Sequence, residues 1–150
     1  MRAMTLQGDF REFLRLLVEH EVEFMVVGGH AVSHHGYPRF THDVDVVVDP
    51  SRENAERLIA ALDDFGFGAL DLTAAEFTRD TTVVLGRAPH EIDIMTFVKG
   101  VELRNAWIRR SYGSLDGVPV PFIGKDDLIA NKRAVGRPED LADVARLTRV

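Results

Sequence analysis

The stretch Phe24-Met25-Val26-Val27-Gly28-Gly29-His30 … Arg39-Phe40-Thr41-His42-Asp43-Val44-Asp45-Val46-Val47-Val48-Asp49 decides how the rest of the chain is read. An apolar run ends in two glycines, a short helical segment follows, and a strand then carries acids at alternate positions. Alternate strand residues share a face, so Asp43, Asp45 and Asp49 point the same way while the valines between them mostly read as buried. Like charges spaced about 6.5–7 Å along a strand repel, which makes them a poor structural choice. A divalent cation would neutralise them, and that is the first functional clue.

The bulk numbers set the frame. With 150 residues, 45% hydrophobic and 28% charged, the expectation is one soluble domain, long enough for a core. The chain has no cysteine, which excludes disulfides, thiolate metal sites and cysteine nucleophiles. Arg11, Glu12, Arg15, Glu19 and Glu21 interrupt the first apolar helix, and no run reaches membrane-spanning length. A cytoplasmic protein without membrane partners is the expectation. The net charge of −6 argues against unspecific nucleic-acid binding. Residues 1–98 carry a balance of −9 and residues 99–150 one of +3, so a cationic C-terminal third could face an anionic ligand.

Read in order, Asp9 caps a helix with Phe10, Phe13, Leu14 and Leu17 on one face, running to about Glu21. A strand over 24–27 and a short helix over 30–35 follow, the latter stopped by Gly36 and Pro38. After the acidic strand 44–48, Ser51 caps a helix with Ala55, Leu58, Ile59 and Leu62 inside, ending at Gly66. Residues 73–78 suggest one helical turn. Two strands are expected over 81–85 and 91–98, joined by 86–90. A helix over 101–110, an edge strand over 118–123 containing Pro119 and Pro121, and helices over 125–135 and 138–147 complete the chain. This is an α/β (α+β) domain, a small mixed β-sheet flanked by helices.

Glu91-Ile92-Asp93-Ile94 places a second pair of acids on a strand. If that strand lies beside 44–48, Asp93 approaches Asp43 and Asp45. Three such carboxylates suit two Mg²⁺ ions, which take oxygen ligands and share substrate phosphates in phosphoryl displacement. The Gly28-Gly29 turn would let backbone N–H groups approach a triphosphate. Arg39, with Lys132 or Arg137, would add positive charge.

Gly28-Gly29, thirteen residues, Asp43-x-Asp45 and a later apolar-Asp93-apolar strand resemble the nucleotidyltransferase superfamily that includes DNA polymerase β. Within it, Gly28, Gly29, Ala31, Gly36, Pro38, Arg39, Thr41, Asp43 and Asp45 are similar to the small bacterial nucleotidyltransferases of the AbiEii type. Asp127-Leu128-Ile129-Ala130-x-Lys132 with Arg137, Asp140, Leu141 and Asp143 resembles that group's C-terminal helical motif. The resemblance implies a single nucleotidyltransferase domain over 1–150, with a core of about 10–124 and a helical part of about 125–150.

By that resemblance Asp43, Asp45 and Asp93 are the catalytic and metal-binding acids, for Mg²⁺ (two ions) or Mn²⁺, Asp93 either as a ligand or as the base. Gly28 and Gly29 hold the nucleotide phosphates, helped by Arg39 and Thr41. Lys132 and Arg137 contact nucleotide or developing charge, oriented by Asp140 and Asp143. The implied reaction moves an NMP from an NTP, ATP among them, to a hydroxyl or phosphate of a tRNA, a protein or a small molecule. A toxin–antitoxin role with a cognate antitoxin, or a homodimer, belongs to the same picture. A non-catalytic nucleotide-binding or antitoxin-like module of the same fold is the alternative.

Other features have plainer readings. Asp49 precedes Pro50 and reads as a turn or cap residue, and Glu91 as peripheral. His30, His34, His35 and His42 cluster locally, and His30 and His34 have the i, i+4 spacing of a zinc pair. The metalloprotease Glu is missing between them and the helix is short, so surface positions are expected. Trp107 is expected in the core.

Overall fold

The computed structural model describes residues 8–38, 40–66, 71–87 and 89–149. In chain order the elements are α1 (Gly8–Glu19), β1 (Phe24–Val27), α2 (Gly28–His34), β2 (Val44–Val48) and α3 (Arg52–Phe65). A 3-10 turn (Ala74–Thr78), β3 (Thr82–Arg87), β4 (His90–Met95) and α4 (Leu103–Ile108) follow. The chain closes with β5 (Ser111–Leu115), β6 (Val118–Phe122), α5 (Lys125–Val135) and α6 (Pro138–Leu147). Among the described residues, no helix is long and apolar enough to cross a membrane.

The strands form one mixed sheet in the order β3-β4-β2-β1-β6-β5. β1 and β2 pair antiparallel, while β2 pairs with β4, and β1 with β6, in parallel. The register fixes two faces. Val26, Val44, Val46, Ile92, Ile94 and Phe122 share one, and all six are buried. Phe10, Phe13, Leu14 and Leu17 of α1 are fully buried as well, and Phe13 meets Phe65 of α3 with ring centroids 5.6 Å apart. Each such side chain contributes about 1.5–3 kcal/mol by leaving water. Asp45 and Asp93 stand on the opposite face, with Val27.

α3 begins and ends as its sequence demands. Ser51 Oγ accepts the Asn54 N–H at 3.3 Å, and Gly66 closes the helix in the left-handed region at φ 100°. Asn54 does more than sit in the first turn. It is 1% exposed, its Oδ1 accepts the Glu23 N–H at 2.7 Å, and its Nδ2 donates to the carbonyls of Glu23 and Asp49. One amide thus joins the entry to β1 and the exit from β2. Asn54→Ala is expected to lower stability by roughly 2–3 kcal/mol, since three buried backbone groups lose partners, and thermal unfolding followed by circular dichroism measures this.

Two expectations change at the far side of the sheet. Residues 111–115 form a strand that the sequence does not announce, because Ser-Tyr-Gly-Ser-Leu lacks apolar alternation. Its pairing moves β6 from the expected edge to an inner position. The prolines survive there for a geometric reason. Ile123 N–H donates to Val26 O at 3.0 Å, so residues 119, 121 and 123 turn their backbone N positions toward β1. Pro119 and Pro121 therefore lack N–H groups only on the side where β1 pairs at a single register position, Val26 with Phe122. Val118, Val120 and Phe122 keep the ladder to β5.

The remaining differences are shifts of bounds. α2 starts at Gly28 rather than 30, β4 stops at Met95 rather than 98, and α4 is shorter than 101–110. α5 and α6 keep the expected bounds, with Pro138 in the first turn of α6.

Candidate active site

The parallel register of β2 and β4 sets Asp45 directly beside Asp93, with Val44 beside Ile92. Asp43 lies one position before, where its Oδ1 accepts the Glu91 N–H at 3.0 Å. Thr41 Oγ1 donates to the Asp43 carbonyl at 3.3 Å and braces the approach to β2. Two of the three acids predicted from the sequence, Asp45 and Asp93, thus meet across neighbouring strands forty-eight residues apart, and Asp43 stands at the entry to β2 with its charge felt at Asp45.

Their electrostatics show the tension of that arrangement. The Asp45 carboxyl is pushed up to about 8, first by burial, then by its hydrogen bond to Asp93 and the charges of Asp93 and Asp43; Lys132 opposes the shift. Asp93 Oδ1 is buried and has no hydrogen-bond partner among the described residues. Two carboxylates this close hold one proton between them near neutrality unless a positive charge replaces it. Such a donor set, hard oxygen with an unsatisfied buried atom, fits a divalent cation. Among the described residues, however, no three His, Asp or Glu side chains already stand in a metal-holding group. The Asp43 anchor on Glu91 N–H accounts for one oxygen turned to another task.

Gly28 controls the approach. Its φ is +69°, and a Cβ built there would lie 2.2 Å from Asp45 Oδ2 and 3.1 Å from the Asp45 Cβ. The glycine lets the turn into α2 fold over the carboxylate. Gly29 is buried in the first turn of α2. Arg39 lies outside the described residues.

The C-terminal helices bring a buried ionic knot. Lys132 Nζ sits 3.3 Å from Asp140 Oδ1 and 3.0 Å from Asp143 Oδ2, all three side chains below 10% exposure. Arg137 Nε donates to Asp140 Oδ2 at 2.8 Å, and its backbone N–H reaches the same oxygen at 3.3 Å. Burial pushes the Asp140 carboxyl up, but the Arg137 hydrogen bonds and the Lys132 charge outweigh it and hold the group below its ordinary range. Arg146 lies 3.7 Å from Asp143 and 4.9 Å over the Tyr37 ring, tying α6 to the loop after α2. Lys132 is within electrostatic reach of Asp45. Lys132 thus acts on Asp45 through its charge while its ammonium group is paired with Asp140 and Asp143, and the Arg137 side chain is 63% exposed.

Other side chains go elsewhere. Asp49 accepts the Ser51 N–H and an Arg104 N–H, as a turn residue with an ion-pair partner. The four histidines separate. His34 stacks on Phe122 at 4.0 Å and meets Ser111 Oγ at 2.9 Å, while His35 Nε2 donates to the Ile123 carbonyl at 2.7 Å. His42 lies against His90 and Phe40. His30 stays near the acids: burial lowers its affinity for a proton, with Asp116, the Asp43 carbonyl and the Asp43 carboxylate opposing. Its Nε2 is buried without a partner among the described residues. Asp116, eighty-six positions away, carries no sequence signal linking it to His30, and only the fold supplies that link. Trp107 is half-buried, with the Arg110 guanidinium 4.1 Å over its ring.

The mixed six-stranded sheet with its flanking helices is an α/β fold shared with solved nucleotidyltransferases. Among solved structures, a protein from Thermotoga maritima named as a nucleotidyltransferase is similar at TM-score 0.60, with 15% identity over 93% of this chain and 90% of that one. The lincosamide antibiotic adenylyltransferase LnuA, solved with lincomycin, matches at TM-score 0.59 and 15% identity over 98% of both chains. The antibiotic-resistance factor ANT(2'')-Ia, solved with adenylyl-2''-tobramycin, matches at TM-score 0.55 and 16% identity over 92% of this chain and 84% of that one. No protein-family model matches the chain, and no curated protein sequence matches it significantly.

Proposed function

We propose that the chain is a metal-dependent nucleotidyltransferase of the cytoplasm, a single domain that transfers an NMP from an NTP to an acceptor. The observation carrying this reading is the Asp45–Asp93 pair: two carboxylates in register on parallel strands, roofed by Gly28, with an unsatisfied buried oxygen. A protein without ligands for these acids gains nothing from such repulsion.

Asp43, Asp45 and Asp93 would hold Mg²⁺ or Mn²⁺, which when bound supplies charge neutralisation at the phosphates. The acceptor oxygen attacks the α-phosphorus, a P–O bond forms, the bond to the β-phosphate oxygen breaks, and pyrophosphate leaves. Asp93 either holds the cation or takes the acceptor proton. The turn at Gly28 and Gly29 would carry the phosphates and the Arg39 charge would assist, while Thr41 keeps Asp43 in place through the Asp43 carbonyl. Lys132 and Arg137 would offset developing charge, held by Asp140 and Asp143. Orientation and charge stabilisation would supply most of the rate.

A small hydroxylated acceptor is the first choice, since two proteins of similar fold carry an antibiotic or its adenylylated form. A tRNA end or a protein hydroxyl is the next, in an AbiEii-type toxin–antitoxin setting. The second reading, a nucleotide-binding or antitoxin-like module without turnover, draws on the absence of a preformed metal-holding group among the described residues. Labelled NTPs with Mg²⁺, tRNA and small hydroxylated acceptors separate the two. Transfer by the wild type, lost in Asp43→Ala/Asp45→Ala, is the expected result. Nucleotide binding without transfer across acceptors would favour the second reading, and neither binding nor transfer would sink both.

A further inference from the structure

We propose that the free edge of β5 is an interface between two copies of this chain, paired strand to strand about a two-fold axis at Gly113. Ile123 donates to β1, so the odd-numbered backbone positions of β6 face that strand and the even-numbered ones face β5. Val118, Val120 and Phe122 therefore make the ladder with Leu115, Gly113 and Ser111. By the alternation of an antiparallel ladder, the N–H and C=O groups of Tyr112 and Ser114 point outward from the sheet. Among the described residues no hydrogen bond beyond the β5–β6 pair takes them.

This edge is also undefended. Soluble proteins shield an outer strand with charge, proline or a covering element. Ser111-Tyr112-Gly113-Ser114-Leu115 has no charge and no proline, because both prolines of the hairpin sit in β6. The opposite edge, β3, ends in the exposed Arg87 and is preceded by Arg79 and Asp80. Tyr112, in the strand itself, is 67% exposed.

The strand is complementary to itself. Antiparallel pairing centred on Gly113 puts Tyr112 of one copy opposite Ser114 of the other. Those are the two residues with outward groups, so each symmetric pair exchanges two N–H···O bonds. Gly113 faces its own copy at the non-bonded position, where backbones approach most closely and the missing side chain helps. The same register sets Arg110 of one copy opposite Asp116 of the other, a cation facing an anion twice over. Arg110 is held ready on its own chain, stacked over Trp107 and donating from Nε to the Tyr112 hydroxyl at 2.8 Å. Arg11 Nε fixes the Asp116 carbonyl at 3.2 Å. A second copy satisfies both the hydrogen bonds and the charges, whereas an arbitrary strand satisfies only the first.

Light scattering at micromolar concentration should find a dimer. Hydrogen exchange should find the Tyr112 and Ser114 amides protected in proportion to protein concentration. Ser114→Pro removes one outward N–H without touching the ladder to β6 and should give a folded monomer. Asp116→Asn, which keeps a side chain tolerant of the left-handed turn (φ 51°), should weaken the dimer by about tenfold, as should Arg110→Gln. If Ser114→Pro does not fold, the Asp116 and Arg110 variants decide. A monomeric wild type, a dimer indifferent to these substitutions, or Tyr112 and Ser114 amides that exchange freely in the dimer would each overturn the proposal.

Discussion

Asp45→Asn is expected to be more stable than the wild type at pH 8 in the absence of divalent cations, and inactive as a transferase. The sign follows from where the proton sits. Asp45 is pushed up to about 8 from the ordinary 3.8, so between those values the folded protein holds a proton that the unfolded chain has released. Stability then falls as pH rises across that window, because folding must keep a proton that the solution increasingly withdraws. Below pH 4 both states are protonated at this position and the penalty is absent. Above pH 8 it is complete, of order 2–3 kcal/mol once residual hydration of the cluster is allowed for.

Asparagine keeps the shape, donates from its amide to Asp93, and does not titrate. Thermal unfolding in EDTA should therefore give nearly equal midpoints near pH 4 and a higher one for the variant at pH 8, by about 5–10 °C. Mg²⁺ should raise the wild-type midpoint at pH 8 and leave the variant nearly unmoved, since a cation bound only by the folded acids stabilises through mass action. Transfer should drop by about a thousandfold or more, as for loss of a preorganised charge contact. A stability gain independent of pH would show that the Asp45–Asp93 repulsion is not its source.

Gly28→Ala should be the most damaging single-methyl change in the turn. Two costs add. The backbone at φ +69° lies where a side chain is strained by about 1–2 kcal/mol. The new methyl would also overlap Asp45 Oδ2 at 2.2 Å and approach its Cβ at 3.1 Å. Rotating the carboxylate relieves the first contact but leaves the second, and it breaks the pairing with Asp93. Overpacking of this kind costs about 1–3 kcal/mol, for a total near 2–5 kcal/mol. Gly117→Ala is the matched control, since φ is +80° there and nothing lies within 4 Å of the added carbon. It carries the strain without the collision, so the difference between the variants in chemical denaturation reports the contact with Asp45. Equal losses would mean that the carboxylate yields freely.

Local chemistry made the helices readable. Ser51, Gly66 and Pro138 mark ends where backbone groups need caps or lose donors, and α3 starts and stops, and α6 starts, where those residues say. The alternation Asp43-Val44-Asp45 placed acids and apolar residues on opposite faces before any neighbour was known. Asp49 was readable as a turn residue because an acid before proline accepts a nearby N–H, here from Ser51. β5 was not readable, since a Ser/Gly-rich strand becomes one only when β6 lies alongside. Its presence made an inner strand of a proline-bearing segment that looked like an edge.

The sequence by itself singled out the candidate residues: the Gly28-Gly29 turn, Asp43 and Asp45 at the start of β2, Asp93 of β4 and the basic and acidic residues of the last two helices. It did so because periodicity and capping act within a few residues. Only the tertiary structure decided that β4 lies parallel to β2 and sets Asp93 against Asp45, and that the Lys132 charge is felt at Asp45 while tied to Asp140 and Asp143. Register and burial are properties of pairs distant in the chain. The shift of Asp45 to about 8 arises from such a pair, removed from water and facing a like charge, which neither strand alone contains.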